Sequence, residues 1–119
     1  MISVRVYDRW GGAGLVALGA VGSFAGLAVL TLNSETIHDL IHFAAGVLLL
    51  WAGWRATDGQ ALVWTRVLAA VFLVLGLAAL VEPELFGLFT FGLSRLDTLL
   101  HLLYGVIGLW GAWRPVLPG

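Results

Sequence analysis

Five side chains able to exchange protons or ligate a metal fall in two short runs of an otherwise apolar chain: His38-Asp39-Leu40-Ile41-His42 and Asp97-Thr98-Leu99-Leu100-His101. Residues four apart share a helix face, so His38 and His42 point one way, as do Asp97 and His101. Three chemistries suit that set. His38, His42 and His101 can donate imidazole nitrogens to one metal ion, with Asp97 completing a tetrahedral shell. Either His42 or His101 can be the axial ligand of a haem or chlorophyll-type pigment, without the covalent attachment that cysteines would give. Histidine and aspartate together can also line a proton or small-solute path. The structural reading needs no cofactor. Thr36-x-x-Asp39 and Ser94-x-x-Asp97 both fit a capping box at a helix start, with His42 and His101 neutral and hydrogen-bonded across a helix seam. Because buried polar groups routinely find partners, the structural reading is the expectation.

Other chemistry is hard to find. The chain has no cysteine, which excludes disulfides, thiolate metal sites and cysteine catalysis. No GxSxG nucleophile elbow occurs, and Gly11-Gly12-Ala13-Gly14 follows no strand and lacks the rest of a phosphate loop. No enzyme activity is expected. A net charge of −1 gives no pull toward nucleic acid. The 119 residues fit one domain, but they are 61% hydrophobic and 11% charged, with mean hydropathy +1.00. Soluble domains run at roughly 45–50% and 25%. The lipid bilayer is the partner that such a surface requires.

The elements that must position the His/Asp set are helices, and the chain contains the key one twice. Residues 35–55 and 94–114 match at a shift of 59: His42 with His101, Gly46 with Gly105, Val47 with Val106, Leu50 with Leu109, Trp51 with Trp110, Trp54 with Trp113 and Arg55 with Arg114. A fainter match at a shift of 50 pairs Gly26-Leu27-Ala28 and Leu30 with Gly76-Leu77-Ala78 and Leu80, making the repeat a helix pair. Four transmembrane helices are predicted, over about residues 10–32, 36–54, 62–81 and 95–113, since ~20 apolar residues cross ~30 Å of hydrocarbon. Repeat 1 covers about residues 10–55 and repeat 2 about 62–114. Residues 1–9 form a polar lead, and 56–61 a tight polar turn. Residues 85–93 are too few to span and read as an interfacial or re-entrant piece carrying Phe86, Phe89 and Phe91.

Orientation follows from arginine. Arg5, Arg9, Arg55, Arg66 and Arg114 gather on one side and only Arg95 on the other, so both termini are predicted to be cytoplasmic in a multi-pass inner-membrane protein. Trp10, Trp51, Trp54, Trp64, Trp110 and Trp113 share that side as an interfacial belt. Two crossings return each repeat to its starting side, so the copies are parallel and related by an axis along the membrane normal. Small residues let backbones approach in lipid. Gly22 and Gly26 form a GxxxG in the first helix, and Gly46, Gly105 and Gly108 are expected to seal a seam between the second and fourth helices at the axis.

The two motifs, His38-x-x-x-His42-x-x-x-Gly46 and Asp97-x-x-x-His101-x-x-x-Gly105, resemble a bacterial four-helix membrane family of unknown function, domain-of-unknown-function family 4383. That family's pattern favours Asn where this chain has Asp39 and Thr98. The resemblance covers nearly the whole chain, and it implies the four-helix fold and singles out His38, His42, Gly46, Asp97, His101 and Gly105 without bringing an activity. Small size, tiny loops and the Phe-rich outer loop make a structural or accessory subunit the expected role, beside a protein partner or as a homo-oligomer. The alternative is a metal-, haem- or pigment-binding or proton/solute-conducting unit built on the His/Asp set.

Overall fold

A computed structural model describes residues 3–25, 36–82 and 95–113. They form four helices and no strand: α1 (Val4–Ala25), α2 (Thr36–Trp54), α3 (Asp58–Val81) and α4 (Arg95–Ala112). α1 starts inside the expected polar lead, because its charged residues find partners on neighbouring helices. The expected turn at 56–61 is mostly the first turn of α3. Its sequence Thr57-Asp58-Gly59-Gln60 is a capping box: Gln60 N–H donates to Thr57 Oγ1 (3.2 Å) and Thr57 N–H to Gln60 Oε1 (3.0 Å), satisfying two donors the helix start leaves open. α3 runs to Val81 and stops ahead of Pro83, which cannot continue a helix. The expected interfacial piece at 85–93 and the glycine at Gly26 lie outside the described residues, as do the surroundings of Gly22.

α1 packs along α2 and α3 along α4, while α2 and α4 share no extended interface. The expected glycine seam between α2 and α4 is therefore corrected. A Cβ on Gly46 would strike Gly12 O and Val16 N of α1 at 2.7 Å each. One on Gly105 would strike Leu73 N of α3 at 2.7 Å, and one on Gly108 would meet Ala69 Cβ and the Tyr7 ring, also at 2.7 Å. The close pairs are consecutive helices of one repeat, and Gly46 and Gly105 serve those backbone approaches.

The contacts also correct the register of the repeat. Gly46 meets Val16 as Gly105 meets Leu73, and Gly19 meets Phe43 as Gly76 meets Leu102. With α2 and α4 related by 59 residues, α1 and α3 are related by 57, not 50. Under this register Asp8 pairs with Thr65, Arg9 with Arg66, Leu15 with Phe72 and Gly19 with Gly76. Asp8 and Thr65 are hydrogen-bonded to each other, Leu15 and Phe72 share one buried cluster, and His42 lies beside His101. Equivalent residues thus meet across a pseudo-two-fold axis threading the bundle.

Large apolar side chains face outward along α2, α3 and α4, among them Leu40, Ile41, Phe43, Val47, Val71, Val74, Leu77, Leu80, Leu103 and Val106, and all six tryptophans are exposed. The interior holds a few large apolar side chains, Tyr7, Leu15, Leu49 and Phe72, together with alanine, glycine and Asp8, Asp39, His42, Thr65, Asp97, Thr98 and His101. A soluble domain rarely exposes contiguous apolar surface on that scale. α3 is the one helix among the described residues long and apolar enough by itself to cross a membrane.

Candidate functional site

α2 and α4 each bring one imidazole to the axis, two turns inside the helix start. The ring centroids of His42 and His101 are 5.7 Å apart, tilted by 44°, and both side chains are buried. The expectation that the repeat brings these two together holds, although the glycines do not make the contact. Nδ1 of His101 donates to the Asp97 carbonyl at 2.7 Å, one turn back in α4. A carbonyl only accepts, so in the neutral ring the proton sits on Nδ1 and Nε2 is left as an acceptor. Phe72 of α3 closes one side, edge-on to His101 at 5.5 Å and tilted against Tyr104 at 5.4 Å.

Asp39 and Thr98, equivalent across the axis, are both buried, as is Asp97. Asp39 Oδ2 has no hydrogen-bond partner among the described residues. The His38 side chain lies outside them, so its place in the set is not seen. The crevice lined by Leu15, Leu18, His42, Phe72, Asp97, Leu100, His101 and Tyr104 has about 10 Å³ of free space, no more than one water molecule needs. A tetrapyrrole does not fit between the imidazoles as they stand. Among the described residues no three His, Asp or Glu side chains converge on a metal position.

A second polar layer, absent from the sequence expectations, lies at the opposite end of the axis. Asp8 is fully buried. Its Oδ1 accepts a 2.6 Å hydrogen bond from the Thr65 hydroxyl, and its Oδ2 has no partner among the described residues. Next to it, the Tyr7 hydroxyl donates to the Tyr104 carbonyl and the Tyr104 hydroxyl to the Gly11 carbonyl, each at 2.9 Å. This reciprocal pair ties α1 to α4, and with it one repeat to the other. The signal for Asp8 was its match with Thr65, visible only at the 57-residue shift.

Arginines finish the same end. Arg5 donates to the Ala52 and Ala56 carbonyls and to Asp58 Oδ1 (2.7 Å). Arg9 Nε donates to Gly53 O (2.9 Å) and Arg66 Nε to Ala112 O (3.1 Å). The Ala52, Gly53 and Ala112 carbonyls belong to the last turns of α2 and α4, where helices leave acceptors open and favour cations, and Ala56 lies just past α2.

No protein-family model, curated protein or solved structure matches the chain. The resemblance to family 4383 accordingly rests on the two histidine motifs alone.

Proposed function

We propose that the chain is a multi-pass protein of the cytoplasmic membrane, its four helices the spans and both termini cytoplasmic, acting as a structural or accessory subunit that packs in or beside a larger membrane assembly. The observation that carries the membrane reading is the side-chain distribution: most bulky aliphatic residues and all six tryptophans are outside, while aspartate, threonine and histidine are buried beside a few apolar side chains. Lipid tolerates the first and excludes the second. α2 and α4, at 19 and 18 residues, are each about 27–29 Å long at 1.5 Å per residue, close to the ~30 Å hydrocarbon thickness. Arg5, Arg9, Arg55 and Arg66 at one end support that end as cytoplasmic.

Support for a subunit rather than a carrier or cofactor protein comes from the axis. The imidazoles are packed, flanked by Phe72 and Tyr104, with room for about one water, and Leu15, Leu49 and Phe72 fill the middle of the bundle. Gentle detergent extraction of the tagged chain from its own membranes, followed by native electrophoresis and cross-linking, tests the role. A stable species containing a second kind of polypeptide is expected. Recovery of the chain alone, or only with copies of itself, overturns the subunit reading.

The 5.7 Å approach of His42 and His101 beside buried Asp39 and Asp97 favours a second reading, a metal- or proton-handling site. Stoichiometric metal or a visible absorption band in the purified protein, lost in His42→Gln and His101→Gln, would replace the first reading with this one.

A further inference from the structure

The two arginines that the repeat makes equivalent are built into equivalent settings. Arg9 Nε is fixed on the Gly53 carbonyl and Arg66 Nε on the Ala112 carbonyl, positions related by the 59-residue shift. The Arg9 guanidinium carbon lies 3.9 Å over the centre of the Trp54 ring, and that of Arg66 lies 5.5 Å over Trp113, again an equivalent pair. Both distances are within the ~6 Å reach of a cation–π contact. One nitrogen and one ring face thus hold each guanidinium in place, while its two terminal nitrogens have no hydrogen-bond partner among the described residues. Arg5 provides the contrast. It spends its terminal nitrogens on Ala52, Ala56 and Asp58, its counterpart in the other repeat is Leu62, and it is a structural clamp.

A planar guanidinium held by Nε presents its remaining N–H fork outward, the geometry that grips two oxygens of one phosphate. Trp54 and Trp113 are 63% and 73% exposed and are the residue type that sits at headgroup depth. We infer that Arg9–Trp54 and Arg66–Trp113 form two pseudo-symmetric binding sites for the phosphate of an anionic phospholipid headgroup, one on each repeat. The inference rests on the membrane reading above. The sites sit at the arginine-rich end, in the leaflet whose anionic lipids attract such residues, on opposite sides of the axis. Trp rings pack on the glycerol and upper acyl region while the guanidinium takes the phosphate.

Native mass spectrometry of the full chain in detergent, with phosphatidylglycerol, phosphatidylcholine or inorganic phosphate added, reads the sites directly. Two phosphatidylglycerol molecules are expected to be retained at activation that strips phosphatidylcholine, one by Arg9→Gln or Arg66→Gln, and none by the double variant. Arg55→Gln, at the same end but exposed and outside both settings, should still retain two. Equal retention by the wild type and the double variant overturns the proposal, as does retention of phosphatidylcholine to the same extent. Binding of inorganic phosphate that displaces the lipid would overturn the lipid as occupant. Thermal melting confirms that the glutamine variants are folded, and Arg9→Lys, which keeps charge but loses the fork, should retain fewer than two. If the chain is instead stripped from membranes by alkaline carbonate, the membrane reading itself has failed.

Discussion

Replacing Gly105 by alanine adds one methyl group at the tightest point of the α3–α4 packing. The new Cβ would stand 2.6 Å from Leu73 Cβ and 2.7 Å from Leu73 Cα and N, where ordinary contact begins near 3.4 Å. Backbone cannot swing aside like a long side chain, so the two helices must part by several tenths of an ångström along the seam. Overpacking of this kind costs ~1–3 kcal/mol, against a gain of up to ~1 kcal/mol from replacing glycine inside a helix. The net expectation is a loss of about 1–2 kcal/mol, and more for Gly105→Leu. Gly59 supplies the control, because a Cβ there meets nothing within 4 Å; Gly59→Ala should be neutral or stabilising by up to ~1 kcal/mol. Gly46→Ala, which strikes Gly12 and Val16 of the other seam, should cost about as much as Gly105→Ala. The two seams share no partner, so their costs should add within about 0.5 kcal/mol. Equilibrium unfolding in mixed micelles measures these four single variants and the Gly46→Ala/Gly105→Ala double variant. A Gly105→Ala protein as stable as Gly59→Ala would refute the close seam. Strong non-additivity of the Gly46 and Gly105 changes would return both glycines to a shared α2–α4 contact.

Thr65→Val removes the donor to Asp8 and leaves a fully buried carboxyl with neither oxygen bonded, which should cost ~1–3 kcal/mol. Asp8→Asn keeps an acceptor for Thr65 and should cost less in the same unfolding assay; the reverse order would contradict the assigned bond. His101→Gln and His42→Gln retain donor and acceptor in nearly the same volume, and each should fold with a loss under about 1.5 kcal/mol. Failure of either to fold, by circular dichroism, would show that the imidazole ring itself is required at the axis.

The repeat was legible because His, Trp and Arg are rare enough in a Leu-rich chain for the 59-residue match to stand out. The first helices share mostly alanine, glycine and leucine, so residue type does not set their register; composition pairs Gly76 with Gly26, whereas its packing partner identifies Gly19 as the equivalent. The expected α2–α4 seam fails for a related reason. Gly46 and Gly105 lie on the helix face of their histidines, but a small residue marks where a neighbour comes close without saying which neighbour. The contacts decide that here, in favour of α1 and α3. In the sequence Asp8 reads as part of a polar lead because Arg5 and Arg9 flank it. Those arginines instead turn to the last carbonyls of α2, and the aspartate goes inside. The Thr57-x-x-Gln60 capping box was readable from sequence, although its polar residues suggested only a turn.

Sidedness tests the four-span reading most directly. Single cysteines at Gly59, where added atoms meet open space, and at Ser94, the residue preceding α4 in the sequence, are treated in intact cells with a membrane-impermeant maleimide, before and after permeabilisation. Two parallel two-helix repeats with cytoplasmic termini place Gly59 inside and Ser94 outside, so Ser94→Cys should label in intact cells and Gly59→Cys only after permeabilisation. Labelling of both positions from the same side, or release of the chain from membranes by alkaline carbonate, would contradict it.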